Sequence, residues 1–122
     1  MPDLTMKDIL LLVLGLFFVL NGLNHLVNTH VYRKYATKRG LIHPTFMVRI
    51  SAVVLILGGA SLVIRQWMEW GLAGLALFLI LASVMVHRFW EEQDRDSRLS
   101  EGMHLAKNIL ILTELAYVYS TL

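Results

Sequence analysis

The chain contains no cysteine. A disulfide framework, a thiolate metal site and thiol exchange within the chain are therefore excluded. Charge is scarce as well. Asp, Glu, Lys and Arg make up 16% of the 122 residues, where a soluble domain carries about a quarter. The formal charge of +2 is small and is not gathered in a basic arm, which argues against a nucleic-acid partner. A positive n-region is missing too: Asp3 and Asp8 flank the single Lys7. The apolar run that follows leads into Asn21-Gly22-Leu23-Asn24-His25 rather than a small-residue cleavage site. The expectation is a retained first span and not a signal peptide.

Apolar side chains, by contrast, are abundant. The chain is 57% hydrophobic with a mean hydropathy of +0.61, too apolar for an ordinary water-soluble core. A crossing needs about 20 apolar residues, and four stretches qualify, at about residues 9–27, 44–64, 70–88 and 103–122. The fold expected is all-α: one domain over residues 1–122, an antiparallel four-transmembrane-helix bundle. Between the first two crossings, His30 to Gly40 is basic and aromatic. It suits a short interfacial helix with its tyrosines at headgroup level and Gly40 as the stop. Pro44 suits the first turn of the second crossing, where its missing N–H leaves no bond unmade. Gly58-Gly59-Ala60-Ser61 allows a neighbouring helix to approach closely, and Gly71, Gly74, Ala73 and Ala76 keep the start of the third crossing narrow. Residues 91–102 read as a mixed-charge aqueous loop, with Ser100 as N-cap of the last helix.

Orientation follows from Lys and Arg. The two long linkers and their flanking turns hold Arg33, Lys34, Lys38, Arg39, Arg49, Arg88, Arg95, Arg98 and Lys107, and the other side holds Lys7 and Arg65. This asymmetry predicts a multi-pass protein of the cell membrane with both termini outside and both long linkers cytoplasmic.

The candidate functional residues are the polar ones inside the spans. Asn21, Asn24, His25 and Asn28 recur at i, i+3, i+4 and i+7 and share one helix face. Arg49 on the second span, His87 on the third, and Lys107 and Asn108 on the fourth fall near the same membrane surface. Glu114 sits nearly two turns deeper than Lys107 on the same face. An isolated carboxylate at that depth costs several kcal/mol, so the expectation is that Glu114 is protonated or paired, with Arg49 the better-shaped partner. The alternative reading is structural throughout. Arg49 and Lys107 snorkel, His87 is an interface residue, and the asparagines are interhelical hydrogen-bonding glue.

These stretches resemble the DoxX family of small four-span membrane proteins. The resemblance rests on Gly22-Leu23-Asn24-His25, on Tyr35-Ala36-Thr37-Lys38-Arg39-Gly40 followed by Pro44, and on Gly58-Gly59. It continues in His87-Arg88-Phe89-Trp90 and in Met103-His104-Leu105-Ala106-Lys107-Asn108. Two departures stand out: the acidic residue that many members carry before the glycine pair is absent, and Glu114 stands where Gly-Gly is common. The resemblance implies association with membrane redox systems, as a subunit or accessory of quinone-linked oxidoreductases and oxidase assemblies.

Three readings of function follow. In the first, the chain is a non-catalytic accessory subunit of a quinone-linked or respiratory oxidoreductase, surrounded by lipid and by other membrane subunits or further copies of itself. Asn21, His25, Arg49, His87, Lys107, Asn108 and Glu114 then line a quinone or lipid pocket. In the second it is a scaffold or assembly factor. The third and remotest makes it a b-type haem carrier with His25 and His87 as axial ligands. No protein-bound metal site is expected besides.

Overall fold

The computed structural model describes residues 5–85 and 89–122. The end of the expected third crossing, His87 included, lies outside the described residues. Among the described residues the elements are all helical: α1 (Met6–Val27), α2 (Thr29–Lys38), α3 (Pro44–Ile64), α4 (Met68–Met85), a 3-10 turn at Phe89–Glu91 and α5 (Arg95–Ser120).

Each boundary has a local cause. Thr5 and Asp8 form a reciprocal capping box that starts α1: the Asp8 N–H donates to Thr5 Oγ1 at 3.2 Å and the Thr5 N–H donates to Asp8 Oδ2 at 2.8 Å. The α1 ladder ends at Asn28, where the Thr29 hydroxyl donates to the carbonyls of His25 and Leu26. α2 ends on Gly40, which takes φ +74°. The Gly40 N–H donates back to Thr37 O and the Leu41 N–H to Ala36 O, the paired closure that a left-handed residue permits. Pro44 opens α3, as expected from its position.

The start of α5 corrects the expectation of a long aqueous loop. The helix begins at Arg95, and Asp94 rather than Ser100 caps it, accepting from the Ser97 N–H at 3.1 Å. Charged residues with capping chemistry can form a helix as readily as a loop, and here residues 95–102 are its first two turns.

α1, α3 and α4 are each long and apolar enough to cross a membrane. α5 has 26 residues, but Lys107, Asn108 and Glu114 interrupt its apolar run. Antiparallel neighbours follow one another: α1 packs on α3, α3 on α4, and α4 on α5, while α2 lies against α3 and α1. At the terminal end Arg65 pairs with Asp8, and Lys7 Nζ donates to Thr121 O at 3.1 Å. Leu11, Leu14, Leu62, Leu72, Leu75, Leu115 and Val118 fill this half of the interior.

The glycine pair on α3 serves two neighbours. A Cβ on Gly59 would lie 2.5 Å from Gly15 O on α1, and one on Gly58 would lie 2.6 Å from the Leu75 side chain on α4. Backbones meet here because no side chain intervenes. The outer faces are apolar: Leu12, Leu16 and Leu20 on α1, Val53 and Leu57 on α3, and Leu77 and Ile80 on α4 are all exposed. A soluble monomer does not leave patches of this extent to water. They are lipid-facing surfaces.

Candidate functional site

α1 and α5 make no contact comparable to the other pairs, and a cavity of about 440 Å3 lies among all five helices. Its walls are largely apolar: Phe18 from α1, Val48 and Leu55 from α3, Phe78 and Leu79 from α4, and Ile111 from α5. Asn21, His25, Tyr32, Tyr35, His104, Lys107 and Asn108 add polar groups to the lining.

His25 is held from several directions. Its Nδ1 lies 2.8 Å from the Asn21 carbonyl oxygen. A carbonyl only accepts, so Nδ1 carries the hydrogen and Nε2 keeps its lone pair. Tyr32 of α2 stacks on the imidazole with ring centroids 3.9 Å apart and an interplanar angle of 16°. Phe78 of α4 meets it edge-on at 6.1 Å. Tyr32 is itself anchored: Asn28 Nδ2 donates to Asn24 Oδ1, and Asn24 Nδ2 donates to Tyr32 Oη at 2.6 Å. The polar stripe on α1 therefore divides. Asn21 and His25 line the cavity, whereas Asn24 and Asn28 hold the tyrosine that positions His25.

Asn108 is the buried polar group of α5, 3% exposed. Its Nδ2 donates to Ser83 Oγ on α4 at 3.2 Å, and Ser83 Oγ donates to Leu79 O at 2.7 Å. Asn21 Nδ2 donates to Phe17 O at 2.9 Å. Each amide nitrogen has a second hydrogen. Asn21, Asn108 and the Lys107 ammonium can therefore donate to a carbonyl, while His25 Nε2 can accept from a hydroxyl.

α2 forms the floor of the cavity, and a group of charges straps it to α5. Tyr35 Oη donates to Glu101 Oε1, and Arg39 Nη2 lies 2.5 Å from Glu92 Oε1 and 3.6 Å from Glu101 Oε1. The guanidinium carbon also stands 5.6 Å from the Tyr35 ring centroid. Burial pushes the Glu101 carboxyl up from its ordinary range, with the His104 imidazole opposing.

The sequence reading missed this strap. From the sequence the tyrosines of residues 30–40 are expected at headgroup level and Glu101 in an aqueous loop. The available signal was that Tyr35 and Arg39 stand at i, i+4 and share a face. Tyr32 and Tyr35 both line the cavity.

Of the residues expected to converge, Asn21, His25, Lys107 and Asn108 do. Arg49 and Glu114 do not. Both are exposed on outer faces, neither lines the cavity, and the expected pairing between them is not formed. Helical phase explains it: Arg49 sits one position past the buried Val48 on α3, and Glu114 one position before the buried Leu115 on α5. His87, the second axial ligand of the haem reading, lies outside the described residues.

No curated protein and no solved structure matches the chain. Residues 8–88, which run from the capping box of α1 to just beyond α4, match the DoxX family. With apolar helices that expose their outer faces and a match over most of its length, the chain is an integral membrane protein belonging to the DoxX family.

Proposed function

We propose that this chain is an accessory subunit of a quinone-linked membrane oxidoreductase system, and that its cavity holds the head of a lipid-phase quinone. The observation that carries this reading is a largely apolar cavity of about 440 Å3 with hydrogen-bonding groups in its lining, a size within the roughly 300–1,000 Å3 of small-molecule sites. A quinone supplies two carbonyl acceptors when oxidised and two hydroxyl donors when reduced. Asn21, Asn108 and Lys107 suit the carbonyls, and His25 Nε2 suits a hydroxyl.

In this reading α5 is a fourth crossing. The termini lie outside, and α2 with the Arg39–Glu92–Glu101 strap lies at the cytoplasmic surface. Nine Lys and Arg residues on the linker side against two on the terminal side support that orientation. His25 orients the head and Tyr32 orients His25; the chain itself performs no chemistry.

The test is extraction in mild detergent with the native membrane partners, followed by quinone assay of the purified protein. Quinone retained by the unaltered chain and lost in His25→Leu, with the helical melt preserved, supports the site. Equal retention in both variants removes it.

The scaffold reading is favoured by a different observation. Many polar groups here already satisfy one another: Asn108 with Ser83, Asn24 with Asn28 and Tyr32, and Tyr35 with Glu101. It predicts that His25→Ala lowers stability without changing a partner's turnover.

A further inference from the structure

We infer that the quinone held in the cavity is one whose ring carries an acidic hydroxyl, bound through that hydroxyl by His25 and Lys107. The inference rests on the quinone reading above and narrows it to one class of head.

The lining is unbalanced in charge. It holds Lys107 and the imidazoles of His25 and His104, and among the described residues that line it there is neither Asp nor Glu. Glu101 accepts from Tyr35 and is engaged with Arg39, but is not part of the lining. Lys107 shares an outer groove with Asp96 and His104. Among the described residues, however, it forms no ion pair. A lysine without an opposite charge beside an apolar cavity attracts an anion, because little water screens the two from each other.

The lining is unbalanced in hydrogen bonding as well. Asn21, Asn108 and Lys107 offer hydrogens, whereas His25 Nε2 offers a lone pair. Nδ1 is committed to the Asn21 carbonyl, and among the described residues nothing donates to Nε2. Tyr32 stacks on the imidazole and Phe78 meets it edge-on, so the ring cannot turn to find a donor without giving up both contacts. An acceptor kept from water without a donor is costly.

A plain quinone answers half of this, with two carbonyls but no donor and no charge. A hydroquinone supplies donors, but it is uncharged and offers the asparagine amides no carbonyl. A hydroxyquinone answers all of it. Its carbonyls accept from the amides, and its hydroxyl donates to His25 Nε2. That hydroxyl is conjugated with a ring carbonyl and is as acidic as a carboxylic acid. As its hydrogen passes toward Nε2, the hydroxyl oxygen and the conjugated carbonyl share a negative charge, and the Lys107 ammonium supplies the opposite sign.

The test is competition. The chain in mild detergent is labelled with a photoreactive azido-quinone, and label on the His25 peptide is displaced with an alkyl hydroxynaphthoquinone or with its methyl ether, which has neither donor nor charge. The two compounds partition differently into detergent, but equally for every protein variant. The ratio of their half-displacing concentrations is therefore compared between variants of unchanged melt. The inference predicts that the unaltered chain and Lys107→Arg share one ratio, and that the preference for the hydroxyl falls at least tenfold in Lys107→Met. Lys107→Gln, a second uncharged variant, should show the same fall. Arg49→Met removes a cation from an outer face and should leave the ratio alone. A ratio unchanged in Lys107→Met and Lys107→Gln, or lowered as much in Arg49→Met, overturns the inference and leaves a plain quinone in the cavity. Palmitate displacing the label at as low a concentration as the hydroxy compound assigns the site to a fatty carboxylate and overturns it too. Label that neither naphthoquinone displaces removes the quinone reading itself.

Discussion

At the scale of single residues, the site depends on side chains that act on one another more than on any one group. Tyr32 is the clearest case. It stacks on His25 and accepts from Asn24, so it joins α2 to α1 and fixes the imidazole at once. Tyr32→Leu removes both contacts and is expected to lower stability by about 1–2 kcal/mol, from an aromatic pair of about 0.5–1.5 kcal/mol and a hydrogen bond of about 1 kcal/mol. Tyr32→Phe keeps the stack and should lose about half as much. Denaturant titration of both in detergent checks this, and equal losses would show that the stack contributes nothing.

Asn108 gives a second prediction at this scale. Its site is 3% exposed and holds one donor bond to Ser83. Asn108→Asp would put a carboxylate where the side chain is almost wholly removed from water, so the variant should be destabilised more than Asn108→Ala in the same titration. Polar residue types at these positions were readable from the amino-acid order alone, and Asn21, His25, Lys107 and Asn108 do share one cavity. Their partners were not readable. Tyr35 and Glu101 stand 66 positions apart, and neither one announces the other without the turn that brings α5 beneath α2. Arg49 and Glu114 misled for the opposite reason. Two opposite charges in apolar spans suggest a pair, but each is one position out of phase with its helix's buried face.

At the scale of elements, close approach of α1 to α3 and of α3 to α4 is the organising contact. Gly59→Ala raises intrinsic helix propensity by about 1 kcal/mol, yet the added Cβ would stand 2.5 Å from the Gly15 carbonyl oxygen. Backbone cannot yield as a side chain can, and a net loss of about 1–3 kcal/mol is expected. Gly74→Ala is the control. Its Cβ would meet Val54 Cγ1 at an ordinary 3.5 Å, so the propensity gain should survive and the melting temperature should hold or rise. If both variants melt alike, the contact through Gly59 does not govern assembly.

Asp94→Ala tests the corrected start of α5 and should cost about 1 kcal/mol, read as lost helicity and a lower melt, while Ser100→Ala should change little. The glycine pair, Pro44 and the Gly40 stop were plain in the sequence because each has a single local cause. The beginning of α5 was not, since a run of mixed charge suits a loop and a solvated helical turn equally until the cap is seen.

At the scale of the whole molecule, apolar helix faces place the chain in lipid, and a cavity of about 440 Å3 lies among the five helices. Three of the apolar spans were legible from composition. The cavity was not, because α2 lines it with Tyr32 and Tyr35 and is held near α5 by Arg39, Glu92 and Glu101. Arg39→Ala should therefore loosen the floor, and hydrogen exchange of the α2 amides should rise relative to those of α3. Unchanged protection would mean that the strap holds nothing.

The central claim is that the cavity binds a lipid-phase quinone head. Its most direct test is photolabelling of the reconstituted chain with an azido-quinone, alongside Ala82→Phe, which fills the cavity from the α4 wall. The account predicts label on peptides bearing His25, Phe78 or Asn108, reduced at least tenfold in the filled variant while its melt is retained. Label spread over outer-face residues such as Leu16 and Leu57, and indifferent to Ala82→Phe, would contradict it.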